Sequence, residues 1–434
     1  MREELPTEDF QVDPRHGGAL KRIVQALMAL YLVMCLAGAI RAEIAAWCAH
    51  EGTIDGYRKA ESWDPANPAY PAAMARLRGA RLETADARLM AGELEAATRL
   101  GTNRAFEWAN LAEAYDRQGR TADAKKAYSR ALGIFPKSPE INWDLANYLI
   151  RNGDVRGALA PLREALLGDE SLRDGGFDVA WRAGADQVAI LGMIPDRQDM
   201  LSAYLDYLVK TQRLNAAAEV WGRLAGSPEE IDKDAGFRYF DALRDAHRVD
   251  GMWTVWTDLA KHDRAKIHWT AGEANLIQNG SFEQPIVNGG FGWRVVPLEG
   301  AEIRVDMTEA QEGSRSLEIE FEGKENLEFG NVVQYVGVKP DTAYQFRAYA
   351  QRERITTDSG PRIAIYDPYD RAALSVETEN LTGTAGWEEQ SLDFRTGPKT
   401  QMIVVQVARP ASKKLDNRIA GTIWLDDFSL TAEH

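Results

Sequence analysis

A repeat of 34 residues constrains the fold of this chain more than any other feature of its sequence. In the first copy, residues 105–136, apolar and small residues recur at spacings of three and four on both sides of Gly119. The second copy lies 34 residues further along, with its apolar and small residues at Leu145, Ala146, Leu149, Gly153, Ala158, Leu162 and Ala165. Each copy therefore predicts two helices joined at a glycine, a hairpin that cannot bury its apolar face alone.

The order of residue types within the first copy is equally informative. Trp108, Leu111 and Tyr115, followed by regularly spaced alanines and by Pro136 at the end, resemble the tetratricopeptide repeat (TPR), which has the same period. The resemblance implies a solenoid of stacked helical hairpins. Weaker copies of the pattern lie upstream and downstream. We therefore expect an all-α, TPR-like solenoid over residues 42–268.

A helical solenoid has a concave groove, which usually holds a peptide or a protein surface. The groove face is formed by first-helix positions between the core residues, which here are Asn110, Glu113, Asp144, Asn147 and Tyr148. Their amide and carboxylate groups predict that the groove binds a basic or polar segment of a partner protein. A solvated face without a tight ligand is the alternative.

The N-terminal segment predicts a membrane anchor. Residues 1–20 are polar and rich in acidic side chains, which favours a disordered tail. Residues 21–41 begin with two basic residues and continue with an apolar run of eighteen, long enough to span a bilayer as a transmembrane helix. The positive-inside rule then places the tail in the cytoplasm and the bulk of the chain in the periplasm, as a single-pass protein of a bacterial inner membrane. A cleaved signal sequence and a buried core helix are the alternatives.

Charge and motif content exclude several function classes. The formal net charge of −15 leaves no cationic footprint for nucleic acid, so we exclude nucleic acid as a partner. Cys35 and Cys48 are the only cysteines, and because Cys35 lies in the apolar run they predict neither a disulfide nor a cysteine metal site. The six histidines lack a metal-binding spacing, and neither a nucleophile elbow nor a phosphate-binding loop occurs. We therefore expect no enzymatic activity.

From residue 272 to residue 434 the pattern changes to short alternating runs separated by Gly, Pro, Asn and Asp. This alternation predicts an all-β antiparallel sandwich. Its most specific phrases are NLIQNGSFE at 275–283, GW at 292–293, GSRSL at 313–317 and WLDDFSL at 424–430. Together they resemble the carbohydrate-binding modules of families four, nine and twenty-two, which are jelly-roll sandwiches.

This resemblance implies that the outer face of a sheet binds glycan through aromatic rings and polar side chains. The alternation in residues 343–351 places Arg347, Tyr349 and Gln351 on one face of a strand. We expect Tyr335 and Gln406 to join that face from other strands and to complete a glycan-binding patch. A sheet surface without a ligand is the alternative.

The resemblance also implies a structural calcium ion that joins the first strand to the last. Its carboxylate ligands would be Glu283, in the SFE phrase, and Asp426, the first aspartate of LDDF. Two ordinary acidic residues near strand ends are the alternative.

The expected chain thus has a cytoplasmic tail (1–20), a transmembrane anchor (21–41), a helical repeat domain (42–268) and a jelly-roll sandwich (272–434). We interpret it as a non-catalytic, membrane-anchored scaffold for the assembly or export of an envelope polysaccharide or exopolysaccharide. The repeats would bind a partner protein and the sandwich a glycan. One alternative is a protein-interaction adaptor whose sandwich binds no sugar. The other is an accessory part of a glycoside hydrolase system.

Overall fold

The structure is a computed structural model that describes residues 14–79, 87–227, 231–261, 274–415 and 417–433. The chain divides into two compact units, Met1–Met193 and Ile194–His434. Residues 1–13 of the predicted tail and the predicted domain boundary between residues 268 and 272 lie outside the described residues.

The first unit is helical throughout its described residues, apart from the connecting turns. Its helices are α1 (Pro14–Ala49), α2 (Ile54–Trp63), α3 (Ala69–Gly79), α4 (Ala87–Leu100), α5 (Ala105–Arg117), α6 (Thr121–Ile134), α7 (Pro139–Arg151), α8 (Val155–Gly168), α9 (Arg173–Arg182) and α10 (Gln187–Met193). The helices pack as hairpins α3–α4, α5–α6 and α7–α8. The last two hairpins are the two copies of the 34-residue repeat.

Glycine ends the first helix of each repeat, as the sequence predicts. Gly119 and Gly153 have φ angles of +72° and +82°, a left-handed conformation that glycine adopts without steric cost. Helices α7 and α8 start on side-chain caps: Ser138 Oγ accepts the amide hydrogen of Ile141, and Asp154 Oδ1 accepts that of Gly157. The chain therefore turns sharply at fixed positions, and the hairpins stack in register.

The repeat core consists of the predicted apolar residues. Leu111, Ala112, Tyr128 and Ala131 are all at most 2% exposed. Small alanines let the helices approach closely, and each large side chain buried in this way contributes about 2 kcal/mol. The prediction of stacked helical hairpins is confirmed for this region.

Helix α1 differs from the predicted tail and anchor at both ends. It begins at Pro14, within the predicted tail, and continues to Ala49, beyond the predicted end of the anchor at residue 41. The C-terminal extension has a physical cause, because Ala45 and Cys48 are buried against α2. The segment Lys21–Ala49 is long and apolar enough to cross a membrane by length and composition, properties that a signal sequence shares.

The second unit contains the remaining helices and all the described strands. The helices are α11 (Gln198–Lys210), α12 (Leu214–Gly226), α13 (Lys233–Asp245) and α14 (Val249–Ala260). The strands are β1 (Arg294–Val295), β2 (Ala301–Asp306), β3 (Ser316–Glu322), β4 (Phe329–Gly337), β5 (Ala343–Ile355), β6 (Arg362–Tyr366), β7 (Ser375–Glu377), β8 (Gly383–Arg395), β9 (Met402–Arg409) and β10 (Ala420–Ala432).

The strands form two antiparallel sheets that pack as a sandwich. Sheet I has the order β1-β4-β9-β6-β7, and sheet II has the order β2-β3-β10-β5-β8. One apolar core lies between them, centred on Phe282, Trp293, Phe346 and Phe428, whose rings contact one another. The predicted order of a helical repeat region followed by an antiparallel β-sandwich is confirmed.

The first and last phrases of the sandwich sequence are neighbours in space. The amide of Leu276 donates to the carbonyl of Leu430 at 2.9 Å, and the amide of Phe428 donates to the carbonyl of Gly280 at 3.0 Å. The side chain of Asn275 accepts from the amide of Leu430 and donates to the carbonyl of Phe428. These bonds join the two ends of the domain, which explains why both phrases carry specific residues.

Within the second unit, the hairpin α13–α14 packs directly on the sandwich. The ring of Phe291 lies 4.4 Å from that of Trp253 and 4.8 Å from that of Phe240, measured between centroids. The guanidinium of Arg294 donates to the carboxylate of Asp241 at 3.0 Å. Helices α11–α14 and the strands that follow therefore belong to the same compact unit.

Candidate functional site

The five predicted glycan-binding residues lie on two different sheets. Arg347, Tyr349 and Gln351 are on β5 of sheet II, whereas Tyr335 is on β4 and Gln406 on β9 of sheet I. The expectation that all five share one face is therefore wrong. Alternation along a strand shows which side chains point outward, but it does not show to which sheet a strand belongs.

Tyr335 and Gln406 have structural partners on sheet I. The ring centroid of Tyr335 lies 4.9 Å from the guanidinium carbon of Arg244 in α13 and 5.4 Å from that of Arg294. The Nε2 atom of Gln406 donates to the carbonyl of Gly330 at 2.8 Å. Tyr335 thus packs under the helical hairpin, and Gln406 ties two segments of the sandwich together.

A row of four side chains crosses the outer face of sheet II. In the strand registers, Arg304 of β2 is opposite Glu318 of β3, Glu318 is opposite Trp424 of β10, and Trp424 is opposite Gln351 of β5. Directly opposed residues are about 5 Å apart, so the four side chains are successive neighbours across the sheet. Only Gln351 of this row belongs to the predicted patch.

This row forms the floor of a cavity of about 670 Å³, which we call the Trp424 pocket. Its lining residues are Arg304, Asp306, Thr308, Glu309, Glu318, Gln351, Arg352, Glu353, Thr384, Ala385, Gly386 and Trp424. The indole nitrogen of Trp424 donates to Asp306 Oδ2 at 2.8 Å, which fixes the ring against the β2 side of the sheet. The pocket therefore combines one large aromatic ring with a ring of polar groups.

Hydrogen bonds fix the charged groups of the pocket before any ligand binds. Arg304 donates from Nε and Nη2 to the two carboxylate oxygens of Glu318, at 2.8 and 2.7 Å. Glu318 is only 5% exposed, so this two-bond pairing satisfies a carboxylate that would otherwise be costly to bury. At the other side, Gln351 Nε2 donates to Glu309 Oε2 at 3.1 Å.

Irregular strand pairing makes room for the pocket. The register between β5 and β8 shifts twice, between Ala350 and Arg352 and again between Arg352 and Ile355. Bulges of this kind redirect side chains and are frequent beside functional sites. Arg352 is turned toward β8, where it donates to the carbonyl of Thr382 and to the carboxylate of Glu388.

The two predicted calcium ligands hold the loop 307–315, which forms one wall of the pocket. Asp426 is fully buried; its Oδ2 accepts the amide hydrogens of Gln311 and Glu312, and its Oδ1 accepts that of Asp427. Burial raises the pKa of Asp426, although these bonds partly offset that effect. Glu283 accepts the amide hydrogens of Ser314 and Arg315.

These contacts do not fit a calcium ion at the same two carboxylates. Hydrogen bonds from the Ser314 amide and hydroxyl lower the pKa of Glu283, so it is an ionised acceptor. Calcium requires six to eight oxygen ligands, whereas N–H and O–H donors surround these oxygens. Among the described residues, no group of three or more His, Cys, Asp and Glu side chains is placed to hold a metal ion. Calcium binding stays a prediction from the sequence.

The predicted groove residues of the repeats are partly exposed, with one exception. Asn110 and Glu113 line a cavity of about 210 Å³ between α3, α4 and α5, while Asp144 is exposed and Asn147 half-buried on α7. Tyr148 is 3% exposed, and its hydroxyl donates to the carbonyl of Thr121 at 2.7 Å. The assignment of Tyr148 to the groove is therefore wrong, because its ring packs on Tyr128 within the core.

The groove has a carboxylate with a strongly perturbed pKa. Desolvation, followed by the charges of Glu113 and Glu140, raises the pKa of Asp144 to about 6. Neighbouring Glu113 is paired with Arg117 at 2.7 Å. Asp144 thus lies where negative charge is already concentrated, and a cationic group from a partner would relieve the repulsion.

Comparison with known families identifies the repeats. A family model described as "Tetratricopeptide repeat" matches residues 108–170, which extend from α5 past the end of α8. Residues 108–170 are tetratricopeptide repeats. The resemblance noted from the sequence is thereby confirmed for this segment, and its helices correspond to the TPR hairpins described above. No curated protein sequence matches the chain.

Several solved structures resemble parts of the chain at low sequence identity. A family 4 carbohydrate-binding module is 18% identical, with 36% of this chain and 99% of that chain covered and a TM-score of 0.27. YrrB, a TPR protein described as having an unusual peptide-binding site, is 12% identical, with 49% and 96% covered and a TM-score of 0.26. The enzymatically active domain of tailspike protein 4 of bacteriophage CBA120 is 14% identical, with 37% of this chain and 22% of that chain covered and a TM-score of 0.27. This chain therefore spans about a fifth of that protein.

Sequence reasoning missed most of the pocket. In the sequence Trp424 stands out only as part of the WLDDFSL phrase, and Arg304, Asp306 and Glu318 are not among the predicted site residues. A signal was present, because Glu302, Arg304 and Asp306 alternate along β2 and Glu318 and Glu320 alternate along β3. Alternation of this kind indicates a polar face, but the pairing of β3 with β10 brings together residues about a hundred positions apart in the chain.

Proposed function

We propose that this chain is a non-catalytic binding protein that links a partner protein, held by its TPR region, to a glycan held by its sandwich. The glycan site is the outer face of sheet II, where the Trp424 pocket adjoins Arg347 and Tyr349. In this proposal the two-sheet sandwich is the jelly roll that its sequence phrases resemble. In this proposal α1 anchors the chain in the inner membrane, and the chain contributes to the assembly or export of a surface polysaccharide.

The composition of the Trp424 pocket is the main support for this proposal. Sugars present flat C–H surfaces and many hydroxyl groups, so proteins bind them with an aromatic ring surrounded by fixed polar side chains. The pocket supplies an indole, the Arg304–Glu318 pair and the amide of Gln351 in one row. Because these groups already bond to one another, little side-chain ordering remains to oppose binding.

The exposure of α1 supports the membrane part of the proposal. Apolar side chains between Ile23 and Ile40 are more than 45% exposed, among them Leu27, Leu30, Tyr31 and Leu36. Such a surface is unfavourable in water and is stabilised by lipid. A reporter that is active only in the periplasm, fused after residue 60, tests the orientation of α1, and we expect this reporter to be active. Activity of a reporter that works only in the cytoplasm, fused at the same position, would show the opposite orientation.

Direct binding tests the glycan assignment. The full chain is kept in a zwitterionic detergent, since detergents with sugar headgroups would compete, and is applied to an array of bacterial and plant polysaccharides. We expect binding that weakens about tenfold in Tyr349→Ala and in Trp424→Ala. Trp47→Ala, which removes a 75% exposed aromatic side chain outside the sandwich, is the matched control and should bind normally.

A protein-interaction adaptor without sugar binding is the second candidate, and the charge of the repeat groove favours it. Asp144 and Glu113 supply acidic groups on α7 and α5 that suit a basic peptide segment. A blank array, combined with capture of a basic peptide that is lost in Asp144→Asn, would replace the glycan proposal with this one.

A further inference from the structure

The Trp424 pocket has more carboxylates than cationic side chains, and its cationic side chains are already paired. Four carboxylate residues line the cavity, against two arginines. Arg304 is held by Glu318 and also lies 3.1 Å from Glu302. Arg352 is held at 2.7 Å by Glu388. Both guanidinium groups are therefore already neutralised by carboxylates before a ligand arrives.

The carboxylates have more unused acceptor capacity than the arginines have donor capacity. Glu309 accepts one bond in the described structure, from Gln351, and Glu353 lies 3.1 Å from the exposed Arg354 at the pocket rim. Each ionised carboxylate can accept about four hydrogen bonds. A ligand in the pocket thus meets acceptors with capacity to spare, and an anionic ligand meets repulsion.

Asp306 keeps its negative charge beside the indole. Burial acts to raise its pKa, but hydrogen bonds from Thr308 and from the indole N–H of Trp424 outweigh burial and lower the pKa overall. The ring of Trp424 is thereby flanked by a charged carboxylate on one side and by Glu318 on another. An aromatic ring beside carboxylates is the combination that stabilises an ammonium group, by cation–π attraction and by charge-assisted hydrogen bonds.

We propose that the Trp424 pocket is a subsite for a sugar unit that carries a protonated amine, so that the glycan bound by sheet II is an amino-bearing polysaccharide. This inference rests on the proposed function and specifies its ligand class. The indole packs against the C–H face of the sugar and attracts the ammonium group. Asp306, Glu309 and Glu353 accept its hydrogens. Uronate, sulfate and phosphate groups are repelled by the same carboxylates.

Titration of the full chain with four hexasaccharides tests the inference. The ligands are a glucosamine hexamer, its N-acetylated form, a neutral glucose hexamer and a galacturonate hexamer, in mildly acidic buffer of low ionic strength. We expect the glucosamine hexamer to bind about tenfold tighter than the neutral and N-acetylated hexamers, and the galacturonate hexamer to bind most weakly. Salt should reduce the difference between the amine and neutral ligands.

Three variants locate the preference in the pocket. Glu353→Gln and Asp306→Asn should lower the ratio of the affinity for the glucosamine hexamer to the affinity for the glucose hexamer several-fold, and a cooperative thermal melt reports that each variant is folded. Glu377→Gln on β7 of sheet I is the matched control, because it removes a carboxylate from the other sheet, and it should leave the preference unchanged.

The outcomes separate this inference from the proposed function. Equal binding of the amine and neutral hexamers, or tighter binding of galacturonate, would overturn the inference while leaving a glycan-binding protein. A preference for the amine that survives both pocket variants would also overturn it. Absence of binding by all four hexamers, together with a blank polysaccharide array, would overturn the proposed function itself.

Discussion

Asp144 shows how strongly one residue of the repeat groove depends on its neighbours. The carboxylate is exposed, but it stands near Glu113 and Glu140, and desolvation together with these charges raises its pKa to about 6. The folded state therefore holds the Asp144 proton more tightly than the unfolded state does. This contribution to stability is complete below the unfolded pKa of about 4 and is lost as the pH rises through about 6.

We therefore expect Asp144→Asn to be more stable than the natural chain at pH 7 and no more stable at pH 4. Because solvent screens an exposed carboxylate, the gain should be at most about 1 kcal/mol. Thermal melts at several pH values measure it as the difference between the two proteins. Glu219→Gln, an exposed carboxylate on α12 in the other unit, is the control and should show no such difference. A constant difference across this pH range would contradict the assignment.

Asp426 and Glu283 illustrate a second residue-scale effect, in which carboxylates act as anchors for a loop. Each accepts two backbone amides from 311–315, and the same loop carries Glu309 to the Trp424 pocket. The residues expected to bind calcium thus position a pocket wall in this structure. Their effect on ligand binding is indirect, because neither lines the pocket.

Asp426→Asn should destabilise the second unit by about 2 kcal/mol, because an amide places N–H donors against the amides of Gln311, Glu312 and Asp427. Asp427→Asn is the matched control and should cost less than about 0.5 kcal/mol. With the natural chain, we expect the same melting temperature in calcium and in a chelator. A rise of several degrees in calcium, lost in Asp426→Asn, would instead support the calcium site inferred from the sequence.

At the scale of elements, the sequence predicts individual helices and strands better than their partners. The 34-residue period locates α5 to α8 and their glycine turns, because helical periodicity and turn chemistry are local properties. Alternation likewise locates β5 and its outward residues. Neither pattern contains the register between strands, so the division of Tyr335 and Tyr349 between two sheets was not predictable.

The same limit explains the errors at individual sites. Tyr148 follows the spacing of a groove residue, but its ring is buried because Tyr128 of the preceding hairpin offers an aromatic surface 5.4 Å away. Asp306 and Trp424 meet across a separation of 118 residues, which no local pattern encodes. The two register shifts on either side of Arg352 could not be predicted from the sequence either, because they depend on how β8 pairs with β5.

The pairing of β2 with β3 includes an ion pair between Arg304 and the buried Glu318, which substitution can test. Arg304→Met should destabilise the second unit by about 2 kcal/mol, because Glu318 is left buried without its partner. The double variant Arg304→Met/Glu318→Met should recover most of that loss, since two apolar side chains can replace a paired charge across a sheet. Denaturant unfolding of both variants measures the coupling. Additive losses would show that the two side chains act independently.

At the scale of the molecule, the second unit combines two sequence patterns in one fold. Gly290 shows how closely the hairpin and the sandwich approach: its φ is +57°, and a β-carbon built there would lie 2.4 Å from the indole of Trp256. The hydroxyl of Tyr369, in the loop after β6, donates to the carbonyl of Arg244 at the end of α13. Apolar packing around Phe291 and these polar contacts link the helices to the strands at several separated points.

These contacts predict that the sandwich depends on the hairpin for stability. A fragment of residues 274–434 leaves Phe291, Tyr335 and Arg294 without the helical groups they contact, so it should melt at least about 5 °C below a fragment of residues 194–434. Gly290→Ala should destabilise the longer fragment by more than about 2 kcal/mol and the shorter one much less, because Trp256 is absent from the shorter one. Calorimetry of the four proteins checks both statements. Equal melting temperatures for the two parent fragments would mean that the sandwich is stable without the hairpin, and that Phe291 contributes little to holding the helices and strands together.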